Sequence, residues 1–314
     1  MRVAVLDDIH QVYENSEGIR RLRERAEVVV FSAPIGQRAS LQGFDALIAN
    51  RERTRFTREL LTQLPDVRII AQTGNHAYHV DLAAAEELGI VIAKASGGFS
   101  TGAAELAIGL AIALMRHIPA GDAAIRGGDW PAPIGRELYG KTMGIVGLGH
   151  VGRHVARIAN AFGMRVLSWS RRDDAQAARD AGTQHCELDE LLRESDVVSI
   201  HATLAPETRG LIDARRLALM KHSAYLVNTA RGPLVDEGAL IDALIEHRIA
   251  GAGLDVFDRE PLPKDHPLTR LGNVVLTPHL GWPTDRKYED FANAAADVLL
   301  AYLNGREVPR FVRH

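Results

Sequence analysis

"MGIVGLGHVGRHVARIANAFGM", residues 143–164, runs an apolar stretch, three glycines and an amphipathic stretch together without a break. Gly147, Gly149 and Gly152 have G-x-G-x-x-G spacing, which alone is a weak signal. Here the residues before Gly147 read as a strand, and Val151, Val155, Ile158, Ala159 and Phe162 fall on one face of a helix. A strand, a glycine turn and a helix N-terminus in that order aim backbone N–H groups and the positive end of a helix at one point, where a pyrophosphate can lie. Gly147, Leu148, Gly149, His150, Val151 and Gly152 are therefore candidate dinucleotide contacts.

The pattern continues on both sides of this segment. After it come "RVLSW" (165–169), "DVVSIH" (196–201), "AYLVN" (224–228), "AGAGLDV" (250–256) and "NVVLT" (273–277), separated by helical stretches. With "MGIVGL" (143–148) they make six strands, as a doubly wound Rossmann sheet requires. The first hundred residues show the same alternation in "RVAVL" (2–6), "VVVF" (28–31), "ALIA" (46–49), "RIIAQ" (68–72) and "IVIAK" (90–94), but no glycine-rich turn follows the first strand. The fold class expected is α/β, with two doubly wound parallel-sheet domains: a flavodoxin-like one without a phosphate loop, and a Rossmann one. A long helix from Thr101 to about His117 precedes the loop "RGGDWPAPIG" (126–135). A helix over "FANAAADVLLAYLNG" (291–305), with a glycine stop, follows Pro283. The pattern leaves open which domain this last helix joins.

A chain of 314 residues is long enough for two domains at about 150 residues each. Net charge is −3, so no bulk basic field points to nucleic acid or to an anionic membrane. The arginine clusters "RRLRER" (20–25) and "RERTRFTR" (51–58) are interrupted by acids and read as solvated helix or loop faces. The single cysteine, Cys186, excludes an internal disulfide. It lies in "GTQHCELDELL", which reads as a short strand running into a helix cap. His76 and His79 have i, i+3 spacing but no evident third ligand, so no metal is expected. "MRVAVLDD" lacks the cationic start and apolar core of a signal peptide, and the longest apolar run, "LAIGLAIALM" (106–115), is well short of the roughly 20 residues that span a bilayer. A soluble, cytoplasmic protein is expected.

Ser170 stands at the end of the second Rossmann strand, where an acid commonly holds the adenosine ribose of NAD. It cannot repel a 2′-phosphate, and Arg171 and Arg172 beside it can pair with one. NADP(H) is thus favoured over NAD(H). Further polar residues gather in "LVNTARGPLVDEGAL" (226–240), "GAGLDVFDREPLPKDHPL" (251–268) and "VVLTPHLGW" (274–282), at strand ends where ligands of such sheets bind. Arg231 offers a planar fork for a carboxylate, and His279 suits proton exchange with a hydroxyl or carbonyl oxygen. Glu260 can orient His279 and favour its protonated form.

These blocks, with "GLGHVGRHVA" and "TPHLGW", resemble the signature segments of the D-isomer-specific 2-hydroxyacid dehydrogenases, in the manner of glyoxylate/hydroxypyruvate reductases. The likeness covers nearly the whole chain and is loosest over residues 1–65. It implies reversible hydride transfer between a nicotinamide cofactor and C2 of a 2-hydroxy or 2-keto acid. By the same resemblance Arg231 binds substrate, Glu260 pairs with the histidine and His279 is the general acid/base. Asp255 and the backbone near Ala230 lie around the nicotinamide carboxamide, His201, Thr208, Thr229 and Gly281 are further cofactor contacts, and the N–H groups of Gly74 and Asn75 bind the substrate carboxylate. It implies a substrate domain of residues 1–100 plus 285–314, a dinucleotide domain of 101–284 with the substrate cleft between them, and a homodimer built on the helix that starts at "AAEL" (103–106).

Three departures from the family pattern bear on the substrate: Lys94-Ala95-Ser96 where Asn-x-Pro is usual, Asn75-His76 after Gly74, and Thr203 where proline is frequent. Two alternatives come with the resemblance. One is a phosphite or formate dehydrogenase, the latter disfavoured because formate dehydrogenases carry glutamine at the Glu260 position. The other is a non-catalytic, nucleotide-sensing corepressor.

Overall fold

In the N-terminal part, short apolar strands alternate with capped helices. The structure, a computed structural model, describes residues 1–34, 41–98, 101–130, 133–171 and 175–312. The chain divides into two compact units, residues 1–99 with 283–314 and residues 100–282. Unit 1 begins with β1 (Arg2–Val5), α1 (Glu17–Arg23), β2 (Glu27–Val30), β3 (Ala46–Ala49), α2 (Arg58–Thr62), β4 (Ile69–Thr73), α3 (Leu82–Glu87) and β5 (Val91–Ala95). Ser16, Thr57 and Asp81 start the three helices by accepting a backbone N–H in the first turn. The strands are all parallel, in the order β2-β1-β3-β4-β5. This is the flavodoxin-like order. No residue of β3 or β4 is exposed, as expected where helices cover both faces of a parallel sheet.

Unit 2 contains α4 (Gly102–Met115), α5 (Ile118–Arg126), β6 (Thr142–Val146), α6 (His150–Ala161), β7 (Arg165–Trp169), α7 (Ala175–Asp180), β8 (Gln184–His185), α8 (Leu188–Glu194), β9 (Val197–Ile200), α9 (Ala214–Leu217), β10 (Tyr225–Asn228), α10 (Glu237–Ile245), β11 (Gly251–Leu254) and β12 (Val274–Leu276). Its order, β12-β11-β10-β9-β6-β7-β8, is the Rossmann arrangement with the reversal between β6 and β9. The sheet has seven strands rather than six. The addition is β8, the two-residue run before Cys186, which pairs with the outer side of β7. Gly253 lets α4 lie close on β11, because a Cβ there would stand 2.9 Å from that of Leu110.

The long helix ends close to where its pattern suggests. It stops at Met115, His117 adopts a left-handed φ of 53°, and a second helix, α5, starts at once with Pro119 in its first turn. Proline reads as a breaker in sequence, yet its fixed φ suits the first turn of a helix. The chain then returns to unit 1 as α11 (Asp285–Leu303), capped by Thr284 and followed by Gly305 with φ 66°. Here α11 meets α1 so closely that a Cβ on Gly18 would clash with the Ala292 carbonyl.

The two arginine clusters differ. In α1, Arg21 and Arg23 form exposed ion pairs with Asp297 and Glu14, a solvated face as expected. The cluster after β3 is one only in part: Arg55 and Arg58 are exposed, whereas the rest of the segment is held in place. Arg53 donates to the Asp7 carbonyl (2.7 Å) and to the Tyr288 hydroxyl (2.8 Å), the Arg51 side chain is 12% exposed, and Phe56 is fully buried. Charge density hides this, because the arginines cap strand ends while the apolar member anchors the segment.

Candidate active site

The three glycines after β6 do different things. Gly147 has φ 103°, and a Cβ on it would lie 2.5 Å from the Ala202 nitrogen, so neither its backbone nor its surroundings admit a side chain. A Cβ on Gly152 would clash with the Gly147 carbonyl oxygen, and its absence lets α6 start hard against the turn. Gly149, the residue before α6, has nothing within 4 Å of its Cβ position. Two glycines thus tighten the turn while the middle one leaves open space over the helix N-terminus, the arrangement a bound pyrophosphate needs.

A cavity of about 420 Å³ spreads from this turn. Of the residues singled out in the sequence, Gly147, Leu148, Gly149, Ser170, Arg171, His201 and Thr208 line it. His150, Val151 and Gly152 form the first turn of α6 behind it. Arg172 lies outside the described residues. Arg171 is paired with Glu207 at 3.6 Å, both side chains more than half exposed, an ion pair of little strength. His201 meets the Ser199 hydroxyl at 2.8 Å, and burial pushes its imidazole down to about 4, so it is neutral near pH 7. The Thr208 hydroxyl is engaged within its own loop, donating to the Thr203 carbonyl at 2.7 Å. The lining also includes Arg153, which donates to the Leu148 carbonyl. Its position one residue past the third glycine is the signal by which sequence could have found it.

Thr229, Ala230, Asp255 and Gly281 do not line that cavity. They belong to the turns that carry Arg231 and His279. Arg231 follows β10, and the turn is clamped by Asn228: its amide oxygen accepts the Ala230 N–H (3.0 Å) and its amide nitrogen donates to the Arg231 carbonyl (2.9 Å). Asn228 is buried, and sequence reasoning misses it because an asparagine at a strand end reads as a turn former. Thr229 donates to the Ala103 carbonyl at 3.4 Å. His279 has a left-handed backbone, φ 56°, held by Asp255. The Asp255 carbonyl accepts the His279 N–H (3.0 Å), while its buried carboxylate accepts from the Thr277 hydroxyl and Leu280 N–H (2.6 Å each) and from the Gly281 N–H (2.8 Å). Such redundancy holds a conformation that would otherwise cost about 1 kcal/mol or more.

Glu260 and His279 come together at 2.8 Å through Oε2 and Nδ1, and Glu260 Oε1 accepts the Phe257 N–H at 3.0 Å. Burial alone would raise the Glu260 pKa. The bonds from His279 and Phe257, with the charges of His279 and Arg231, outweigh it and leave the carboxyl below its ordinary value. Glu260 is therefore ionised at neutral pH, and Nδ1 of His279 is committed to it. The pair borders an apolar cavity of about 540 Å³ lined by Phe257, Leu262, Leu276 and Pro278 among others. In unit 1, Gly74 (φ 99°) and the exposed Asn75 follow β4. Arg51 lies against that loop, its guanidinium 3.0 Å from where a Gly74 Cβ would stand.

A Rossmann sheet with a glycine turn shaped for a pyrophosphate, and a carboxylate-supported histidine at its strand ends, defines a nicotinamide-dependent oxidoreductase. Comparison with known proteins narrows the class. Residues 108–281 match the family model for the D-isomer specific 2-hydroxyacid dehydrogenase, NAD binding domain. The chain is 41% identical to a glyoxylate reductase of Aeropyrum pernix, over 81% of this chain and 78% of that one. It is 38% identical to a glyoxylate reductase of Thermofilum pendens, over 94% and 91%. The solved structure of TT0316 protein from Thermus thermophilus superposes with a TM-score of 0.83 at 39% identity, covering 100% of both chains. The chain belongs to the D-isomer-specific 2-hydroxyacid dehydrogenase family. It is an NAD(P)-dependent oxidoreductase that transfers hydride between a nicotinamide cofactor and a small 2-hydroxy or 2-keto acid. These relatives do not favour the corepressor or the phosphite and formate alternatives. No single helix among the described residues is long and apolar enough to cross a membrane.

Proposed function

We propose that the protein is a cytoplasmic, homodimeric reductase of small 2-keto acids of the glyoxylate type, preferring NADPH to NADH. The observation that carries the catalytic reading is the Glu260–His279 pair, anchored on the Phe257 backbone at one end and on the Asp255-braced turn at the other. With Nδ1 bound to Glu260, His279 Nε2 is the atom left to exchange a proton with the substrate oxygen. In the reducing direction His279 gives that proton to the oxygen on C2, and the Glu260 carboxylate stabilises the imidazolium beforehand. The Arg231 fork is assigned to the substrate carboxylate, and the N–H groups of Gly74 and Asn75 in unit 1 are proposed as substrate contacts in their own right. A bound nicotinamide cofactor supplies the hydride in this direction and takes it in the other. Gly149 and the α6 N-terminus would hold its pyrophosphate, with Ser170 and Arg171 nearest its adenosine ribose.

The NADPH preference is supported by Ser170 and Arg171 sharing the cavity wall, Arg171 making, among the described residues, a weak and exposed pair with Glu207. The homodimer is supported by a run of exposed apolar side chains from α5 onward, including Trp130 (87% exposed) and Ile134 (93%), which a second copy would cover. Initial rates for glyoxylate, hydroxypyruvate and a panel of longer 2-keto acids, each with NADPH and NADH, test the reading. Fastest turnover of a short keto acid with NADPH is expected. No turnover of any 2-keto acid would overturn it.

A further inference from the structure

We propose that Glu237 and His266 are positioning residues for the reaction, a second carboxylate–imidazole couple that sets the turn carrying Glu260. Glu237 opens α10, one residue after the Asp236 cap, and its side chain is 23% exposed; His266 lies in "PKDHPL" and is 17% exposed. The His266 Nδ1 accepts the Leu268 N–H (3.4 Å) at the start of a short 3-10 turn, so this nitrogen carries no proton. The proton is on Nε2, which donates to Glu237 Oε1 at 3.1 Å. The other Glu237 oxygen accepts the Asp258 N–H at 3.4 Å.

That bond matters because of what the backbone of Phe257 and Asp258 touches. The Phe257 N–H holds Glu260 Oε1. Against the same two residues lies Gly232, directly after Arg231, where a Cβ would clash with the Phe257 carbonyl carbon and stand 2.5 Å from the Asp258 nitrogen. This dipeptide thus joins the Arg231 turn, the Glu260 carboxylate and, through the Asp258 N–H, the Glu237–His266 couple. Neither Glu237 nor His266 lines the cavity beside His279, and the route proposed from them to turnover is this backbone and Glu260. The inference rests on the assignment of Glu260 and His279 as the proton-transfer pair.

The test compares kcat, the KM for cofactor and the thermal midpoint of Glu237→Ala, His266→Asn and His266→Gln, alone and with Glu260→Gln. Asparagine at 266 keeps an acceptor for the Leu268 N–H but is too short to reach Glu237, whereas glutamine reaches it. Glu237→Ala and His266→Asn are expected to lower kcat about tenfold, since misplacing a reacting group by about 1 Å can cost up to about a hundredfold. The KM for cofactor should not change, and His266→Gln should recover much of the loss. In the Glu260→Gln background, Glu237→Ala should alter kcat by less than about twofold, because coupled residues are not additive. Wild-type kcat in Glu237→Ala and His266→Asn, whatever their melting points, would overturn the inference. So would a full tenfold loss on top of Glu260→Gln. If Glu260→Gln and His279→Ala themselves kept wild-type kcat, the underlying assignment would fall instead.

Discussion

Replacing Glu260 with glutamine keeps the side chain's size and an oxygen for the Phe257 N–H, but removes the charge facing His279 Nδ1 at 2.8 Å. A hydrogen bond to a charged group contributes about 1.5–3 kcal/mol. The Glu260 side chain is 38% exposed, so solvent screens it and the lower figure applies, about 1.5 kcal/mol. That corresponds to roughly a tenfold fall in kcat for keto acid reduction, at about 1.4 kcal/mol per decade. Cofactor binding should be untouched, because Glu260 does not line the cavity at the glycine turn. The assay is initial-rate absorbance with saturating cofactor, repeated across pH. Because the native Glu260 pKa is depressed, the carboxylate charge facing His279 is fully present above the ordinary carboxylate value and is lost as pH falls through the lower, folded one. The wild-type enzyme should therefore keep the Glu260 charge at pH values where free glutamate is half protonated, while Glu260→Gln lacks this acid-limb loss. Wild-type kcat in Glu260→Gln, or an effect confined to the KM for cofactor, would refute the reasoning.

Gly152→Ala should destabilise the fold by about 1–3 kcal/mol through overpacking against the Gly147 carbonyl and weaken cofactor binding, read by thermal melting and fluorescence titration; unchanged values would leave the glycine turn without its assigned role. Arg171→Ala should raise the KM for NADPH about tenfold, the loss of one charge-assisted hydrogen bond, with little effect on NADH; equal effects on both would return this arginine to the solvated surface. Asn228→Ala leaves the Ala230 N–H and Arg231 carbonyl without their partner and should lower kcat/KM for the keto acid by a factor of about ten, the lower part of the about 1–3 kcal/mol range for an unsatisfied group, because these two are only half-buried. Unaltered kinetics would show that the Arg231 turn holds itself.

Much of this was legible in sequence because parallel strands are buried on both faces and their apolar runs are continuous. β9, β10 and β11 stand out for that reason, whereas the two-residue β8 does not. The glycine triplet carried its own context of strand and helix. The Glu260–His279 contact joins residues 19 apart, which spacing alone could not place at 2.8 Å. The missed parts depend on tertiary position. Asn228, the braces made by Asp255, and the burial of Arg51 and Arg53 appear only when separate turns meet. α5 has no counterpart in the sequence reading, because Pro119 in its first turn marks the end of one helix as readily as the start of the next.

His279 is assigned the proton transfer in 2-keto acid reduction, and kcat of His279→Ala beside the wild type tests that assignment most directly, with both shown to bind cofactor and melt alike. The expected loss is about 10²- to 10⁴-fold, the range for a positioned acid/base group. A His279→Ala enzyme with near wild-type kcat would contradict it.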